Sequence, residues 1–178
     1  MNLGLRRTLP YSHEASGIDR PVVVHVEEVI SVRIVKLSKD VFGFDTVEGC
    51  IAYFEHVLPW GKYRFRVAGE GSHISADSLA DGEILVFSYV GTIVAAARAQ
   101  EIETENGRVT IIRLREDTLR VFSKRITLKD LENTLKGSGY SKVIHGSQGW
   151  NIIDGRYEEI AIRFLIDKEW EDFIHGLC

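Results

Sequence analysis

The chain is built largely from short apolar runs, rich in β-branched residues, that glycine, proline and polar residues separate. Runs of this length and composition predict β-strands. The predicted strands lie at residues 22–37 (one long strand or two short ones), Tyr63–Val67, Ile84–Val90, Thr92–Glu103, Arg108–Leu114 and Ile160–Ile166. Asn106-Gly107 is a strong signal for a two-residue hairpin turn, so the two strands that flank it should pair.

Helical spacing and capping residues predict three helices. The first begins at a cap formed by Asp45 or Thr46, ends at Pro59 and has four apolar positions on one face: Val47, Ile51, Phe54 and Leu58. The second starts with a capping-box pattern, has a C-terminal cap at its glycine and carries a leucine stripe: Thr127 with Asp130, Gly137, and Leu128, Leu131 and Leu135. The third spans Asp167–His175, with an inner side formed by Trp170, Phe173 and Ile174.

Consecutive short strands with helices at the margins favour an α+β fold with a curved or barrel-like mixed sheet. The strands and helices do not alternate as they do in dinucleotide-binding folds. With 178 residues, of which 44% are hydrophobic, the chain can form one globular domain with its own core. Residues 1–20 lack periodicity and are expected to form an N-terminal arm, which leaves residues 21–178 as the domain.

Charge is segregated along the chain, although the formal net charge is only −4. Residues 98–129 contain eight basic and five acidic residues, whereas residues 154–178 contain three basic and seven acidic ones. This asymmetry would allow one positive face on an acidic protein, as a nucleic-acid partner would need. The alternative is that both segments are ordinary solvated surface.

The two cysteines, Cys50 and Cys178, are too few for a disulfide framework and have no paired metal-ligand spacing. Residues 1–17 lack the apolar segment of a secretory signal, and no run approaches the roughly 18 apolar residues of a membrane span. We therefore expect a cytoplasmic protein without a membrane partner.

Familiar catalytic patterns are not found in the sequence. The glycine-rich segments Gly69–Ser72 and Gly137–Gly139 lack the spacing of phosphate-binding loops. Histidines occur singly, which argues against a metal site, and Cys50 is more simply a packed thiol than a nucleophile. We expect no cofactor, and catalysis has no positive support.

The segment Trp60–Arg66 (WGKYRFR) carries the strongest functional signal, because it combines aromatic rings with cations. If the segment is extended from Lys62, Tyr63 and Phe65 share one face and the basic side chains share the other. Aromatic faces beside cationic groups suit nucleobases and phosphates. The alternative is that these rings belong to the core, as aromatic residues usually do.

The order of motifs resembles the PUA-like superfamily, particularly its EVE and YTH branches. Three segments carry the resemblance: Trp60–Arg64, Asp81–Ser88 and Gly91–Ala97. The resemblance covers residues 58–153 and implies a small mixed β-barrel with flanking helices. It also implies a pocket whose aromatic walls accept one flipped, often methylated, base. Such domains also serve as specificity modules of modification-dependent restriction systems, which would make this chain part of a larger enzyme or complex.

Residue by residue, the resemblance and the charge pattern imply two sets of contacts. The base would contact Trp60, Tyr63, Ser88 and Tyr89. Phosphates would contact Lys62, Arg64, Arg66, Arg98, Arg113, Arg115, Lys124 and Arg125. Phe65 stands where the family has an asparagine, and about fifty residues precede the matching region, so the resemblance does not specify the base.

The leading hypothesis is therefore a non-catalytic reader of DNA or RNA that accepts a flipped, modified base. One alternative is a small enzyme of the ASCH type that acts on modified nucleosides through a lysine, threonine or glutamate in the pocket. The other alternative is a protein-interaction domain that uses the same groove.

Overall fold

The computed structural model describes residues 31–67, 79–145, 150–153 and 155–175. The predicted N-terminal arm, the first part of the predicted strand 22–37 and the segment Gly69–Ser72 lie outside the described residues. Strands are β1 (Val32–Leu37), β2 (Arg64–Arg66), β3 (Ile84–Tyr89), β4 (Thr92–Glu105), β5 (Arg108–Leu114), β6 (Arg120–Thr127) and β7 (Asn151–Ile153). Helices are α1 (Lys39–Phe42), α2 (Val47–Ala52), α3 (Leu58–Trp60), α4 (Leu128–Gly137) and α5 (Tyr157–His175).

The seven strands form one mixed sheet in the order β2-β5-β4-β3-β1-β7, and β6 also pairs with β4. Strand β1 runs parallel to β3, whereas the other paired strands are antiparallel. The α+β class is confirmed, but the predicted barrel is not seen, because within the described residues the sheet is open between β2 and β7. Each of these end strands has only three residues, so each offers few backbone groups for closure.

The central strands are buried on both faces, as the pattern of β1 shows. On one face, Val35 and Phe87 join a core cluster that includes Phe54 of the helical segment after α2. On the other face, Ile34 and Val86 join a cluster that includes residues of α4 and α5. Because successive strand residues point to opposite faces, the sheet lies between two helical layers.

The predicted hairpin is confirmed. Strands β4 and β5 pair antiparallel up to Glu105↔Arg108, and the two residues between them form the turn. Asn106 and Gly107 have φ angles of 52° and 76°. Two successive positive φ angles match the twist of the flanking strands, and asparagine and glycine tolerate them best.

The first predicted helix is confirmed from its cap onward. The Thr46 side chain accepts a hydrogen bond from the Gly49 N–H at 3.0 Å, which satisfies a free donor of the first turn. A π-helical turn, Tyr53–Val57, joins α2 to α3 and places Phe54 in the core. The helix ends at Trp60, one residue beyond the predicted end, because proline is tolerated in the first turn of the short helix α3.

The second helix is also confirmed, including its capping box. The Thr127 hydroxyl accepts from the Asp130 N–H at 3.1 Å, and the Asp130 carboxylate accepts from the Thr127 N–H at 3.0 Å. The expected C-terminal cap at Gly137 is wrong by one residue, because Gly137 is the last helical residue and Ser138 is the cap, followed by Gly139 with a positive φ of 92°.

The predicted strand Ile160–Ile166 is wrong, because these residues belong to the 19-residue helix α5. Ala161, Phe164 and Leu165 are buried in the core cluster beside α4. Phe164 and Leu165 follow Ala161 by three and four residues, so all three lie on one face of a helix. In a strand, Phe164 and Leu165 would point to opposite faces of the sheet. The predicted Asp167–His175 helix is confirmed as the second half of α5. The side chains predicted for its inner side, Trp170, Phe173 and Ile174, lie outside the described side chains.

None of the described helices combines the length and apolar character needed to cross a bilayer.

Candidate nucleic-acid interface

Trp60 is the most exposed large apolar side chain within the described ranges, with 90% of its surface open to solvent. It is the last residue of α3, and the chain turns back immediately after it. The Lys62 N–H donates to the Pro59 carbonyl at 2.9 Å, and the Tyr63 N–H donates to the Leu58 carbonyl at 3.0 Å. These hydrogen bonds hold the backbone of the turn that follows Trp60, so the indole projects from an ordered turn.

The turn differs from the extended segment expected from Lys62 onward. Lys62 and Tyr63 have φ angles of 54° and 57°, and the strand begins only at Arg64. From there the expected alternation holds, because Phe65 is fully buried whereas Arg64 and Arg66 are exposed. The interpretation that Phe65 belongs to the core is therefore confirmed.

Tyr63 lies in the chain between Trp60 and Arg64, the first residue of β2. Its side chain is half-buried against the core, and its carbonyl accepts from the Leu114 N–H of β5 at 2.9 Å. Partial burial, together with the charge of the Glu116 carboxylate and a hydrogen bond to it, raises the pKa of the Tyr63 hydroxyl.

Strand pairing brings some of the predicted phosphate contacts together. Arg64 of β2 lies directly opposite Arg113 of β5. Arg66 follows on the same strand, and Arg115 comes just after β5. These four arginines, with Trp60 and Tyr63, define what we call the β2–β5 surface.

Carboxylates on neighbouring positions pair with three of these arginines. Arg64 donates to both oxygens of Glu103 at 2.7 Å, Arg113 contacts Glu101 at 3.1 Å, and Arg115 contacts Asp117 at 3.2 Å. All six side chains are at least 43% exposed. Exposed pairs contribute only about 0–1 kcal/mol, so an incoming phosphate could compete for these arginines. The pairs of Arg64 with Glu103 and of Arg113 with Glu101 could not be predicted from the sequence, because they depend on the register of β2, β5 and β4.

Ser88 and Tyr89, the other two predicted base contacts, are each only 2% exposed. The Tyr89 hydroxyl donates to the Phe44 carbonyl, and its ring meets the Phe44 ring edge-on. Neither side chain can touch a ligand that remains outside the core in this conformation. The strand Ile84–Tyr89 is buried on both faces, which its nearly continuous apolar sequence already suggests.

The remaining predicted phosphate contacts are dispersed. The Arg98 guanidinium donates to the Gly82 carbonyl at 3.3 Å, in a groove against α5. Arg125 lies in a separate cleft with α4 and α5, and the Lys124 side chain lies outside the description. Lys62 is exposed in the turn after Trp60. The structure therefore does not unite all eight cations on one face.

Buried ionisable groups elsewhere have structural partners. Arg33 of β1 forms a two-pronged ion pair with Glu83, at 2.7 and 3.2 Å. Glu83 immediately precedes β3, the strand that runs parallel to β1.

Burial raises the pKa of the Cys50 thiol to about 12, which suppresses the nucleophilic thiolate. Among the described side chains, no cluster of three or more histidine, cysteine or carboxylate groups could hold a metal ion.

Comparison with known proteins gives no family to which the chain can be assigned. No family model matches the sequence, and the search of curated proteins found no match.

Proposed function

We propose that the chain is a nucleic-acid-binding domain of the PUA-like type, and that the β2–β5 surface is its interface. The single observation that carries the proposal is the exposed indole of Trp60, four residues before the arginine that begins strand β2. Tryptophan side chains are highly buried on average, so an indole that is 90% exposed on a hydrogen-bonded turn is unusual and supports a binding role. The mixed sheet between helical layers is compatible with a PUA-like fold, although the barrel itself would have to be more open than in that family.

Stacking would supply the attraction for the base. A base stacked on an aromatic side chain contributes about 1–3 kcal/mol, and the contact tolerates different bases. Tyr63, three residues later in the chain, is partly buried against the core and would add a second ring at the edge of the same surface. We therefore place the base against Trp60, with Tyr63 at its margin.

The arginines would bind the phosphates. Arg66 is exposed and makes no side-chain hydrogen bond or ion pair to a described residue, so it can bind phosphate without losing a partner. Arg64, Arg113 and Arg115 would exchange their carboxylates for phosphate oxygens. Because those carboxylates remain nearby, the local field is nearly balanced, and we expect a modest dependence of affinity on salt.

The base that reaches Trp60 must be unpaired or flipped, because only then is its flat face accessible. Flipping costs a few kcal/mol, which favours a base whose pairing is already weakened. A methylated base also offers a larger apolar face to the indole. We propose that such a base is the preferred target.

Fluorescence anisotropy with labelled single-stranded DNA and RNA, each with and without a methylated base, tests this function. We expect Trp60→Ala to weaken binding by about tenfold or more, and Trp60→Phe to weaken it less because a ring remains. The matched control is Val90→Ala, since Val90 is also apolar and 77% exposed. Equal affinities of the unmodified protein and Trp60→Ala for every oligonucleotide would contradict the proposal.

A protein-interaction domain is the second candidate function, and one observation favours it. Val57 is 58% exposed one helical turn before Trp60, so the two side chains form an apolar patch on one helical face. Such patches are also typical of protein interfaces. Val57→Ala should then weaken a protein complex as Trp60→Ala does, whereas base stacking should not depend on Val57.

A further inference from the structure

A cleft of about 570 Å³ opens between β6, α4 and α5. It lies on the layer of helices that covers the face of the sheet opposite to α2 and α3. Its volume falls within the range of 300–1,000 Å³ that is typical of small-molecule sites. The cleft is therefore a second place where the molecule could hold a ligand, independent of the β2–β5 surface.

The floor of the cleft is apolar, and its rim is cationic. Ile126, Ile160 and Phe164 form the apolar part, whereas Arg125, Arg163 and Lys168 bring positive charge from β6 and α5. A smaller cavity of about 380 Å³ adjoins it through Ile160 and Arg163 and adds Arg156. A ligand that satisfies this lining needs an anionic group and an apolar or flat portion.

The arginines of the rim can accept an anion at little cost. Arg125 is exposed and makes no side-chain hydrogen bond or ion pair with the described part of the chain. Arg163 pairs with Glu159 at 3.1 Å, but both side chains are at least 73% exposed, so the pair is weak. Guanidinium groups bind carboxylate and phosphate alike through two parallel hydrogen bonds. A phosphate monoester has three acceptor oxygens and close to two negative charges, which suits two arginines better than a carboxylate does.

The carboxylates of Asp130 and Asp167 also line the cleft and disfavour ligands that carry only negative groups. The Asp130 carboxylate already accepts from the Thr127 N–H and hydroxyl, which lowers its pKa and keeps it charged. Asp167 lines the cleft together with the amide of Asn133. A carboxylate repels a ligand that is anionic throughout, but it accepts hydrogen bonds from hydroxyl or amino groups. A ligand with a phosphate at one end and such donors at the other satisfies both signs of charge.

We propose that this cleft binds a nucleoside monophosphate. The phosphate lies against Arg125 and Arg163, the flat base covers the apolar floor, and Asp167 and Asn133 bind the sugar hydroxyls or the amino group of the base. The inference does not depend on the proposed function of the β2–β5 surface, which uses neither these residues nor these helices.

Isothermal titration calorimetry of the full chain with the four ribonucleoside monophosphates, their four nucleosides and inorganic phosphate tests the proposal. We expect at least one monophosphate to bind, and its own nucleoside and inorganic phosphate each to bind at least about tenfold more weakly, since each lacks one half of the contacts. Arg125→Ala and Arg163→Ala should each weaken binding by about tenfold or more.

Two controls keep the result interpretable. Arg108→Ala removes an exposed arginine at the start of β5, and Trp60→Ala disables the β2–β5 surface, so neither should change the affinity of the cleft. Circular dichroism checks that each variant is folded. No binding of any monophosphate at millimolar concentration, a nucleoside that binds as tightly as the tightest-binding monophosphate, or unchanged affinity in both Arg125→Ala and Arg163→Ala would each overturn the proposal.

Discussion

Glu132 shows how a single buried carboxylate can organise a loop. It lies on α4, is only 7% exposed, and accepts from the N–H groups of Ile144 and His145 at 2.7 Å each. Lys136, one helical turn later, donates to its other oxygen. The bond to Lys136 and those to the backbone lower the pKa of Glu132 to about 2. The carboxylate thus fastens the chain after α4 to the helix.

Glu132→Gln should lower the free energy of unfolding by about 2 kcal/mol at pH 7, because the neutral amide loses the charged hydrogen bonds. The native pKa of about 2 lies below the ordinary value of 4.5, so the contribution is complete above pH 4.5. It is lost as the pH falls from 4.5 towards 2. Urea denaturation at pH 7 and at pH 3 measures both effects.

The exposed Glu105, at the end of β4, provides the matched control, and Glu105→Gln should leave the stability nearly unchanged. A difference between the unmodified protein and Glu132→Gln that stays constant from pH 7 to pH 3 would contradict the charge-based explanation.

Among the elements, those with local signals were predictable from the sequence. The turn at Asn106-Gly107 and the caps at Thr46 and Thr127 each depend on residues within four positions of one another. Local backbone and side-chain chemistry decides such features, so one sequence suffices to find them.

The capping box makes a quantitative prediction at this scale. Thr127→Ala should lower the free energy of unfolding by about 1 kcal/mol, because the Asp130 N–H loses its acceptor in the first turn of α4. Thr127→Ser keeps the hydroxyl and should retain most of the stability. Thermal or urea denaturation of the two variants checks the prediction, and equal stability of Thr127→Ala and the unmodified protein would refute it.

The elements that sequence analysis got wrong or missed depend on distant contacts. The run Ile160–Ile166 is apolar almost throughout, so its periodicity cannot distinguish a strand from a buried helix. Tertiary packing determines that the run is helical, because a helix places Ala161 and Leu165 together against the sheet and α4. Likewise β7 is a strand only because Asn151–Ile153 pairs with β1, more than a hundred residues earlier in the chain.

In the candidate site, too, features set by neighbouring residues were predictable, whereas features set by distant contacts were not. Trp60 could be singled out because proline before it and glycine after it argue against regular packing. The burial of Tyr89 could not be predicted, because it depends on the Phe44 ring and carbonyl across the fold. The pairing of Arg64 with Glu103 likewise depends on strand order rather than on spacing along the chain.

At the scale of the whole molecule, the sheet separates two surfaces with different chemistry. The helical segment from α2 to α3 covers one face and ends in the exposed Trp60, whereas α4 and α5 cover the other face and enclose the cationic cleft. A domain arranged in this way could bind a nucleic acid through one layer and a small ligand through the other. The two proposals can be tested separately because they share no residue.

The central claim is that a base stacks on Trp60, and fluorescence of that indole tests it most directly. The chain has three tryptophans, so Trp150→Phe combined with Trp170→Phe leaves Trp60 as the only indole. Adding a single-stranded oligonucleotide should quench its emission to saturation and protect it from acrylamide, since stacking covers the ring. Emission and acrylamide accessibility that stay unchanged while anisotropy shows the oligonucleotide to be bound would contradict the account.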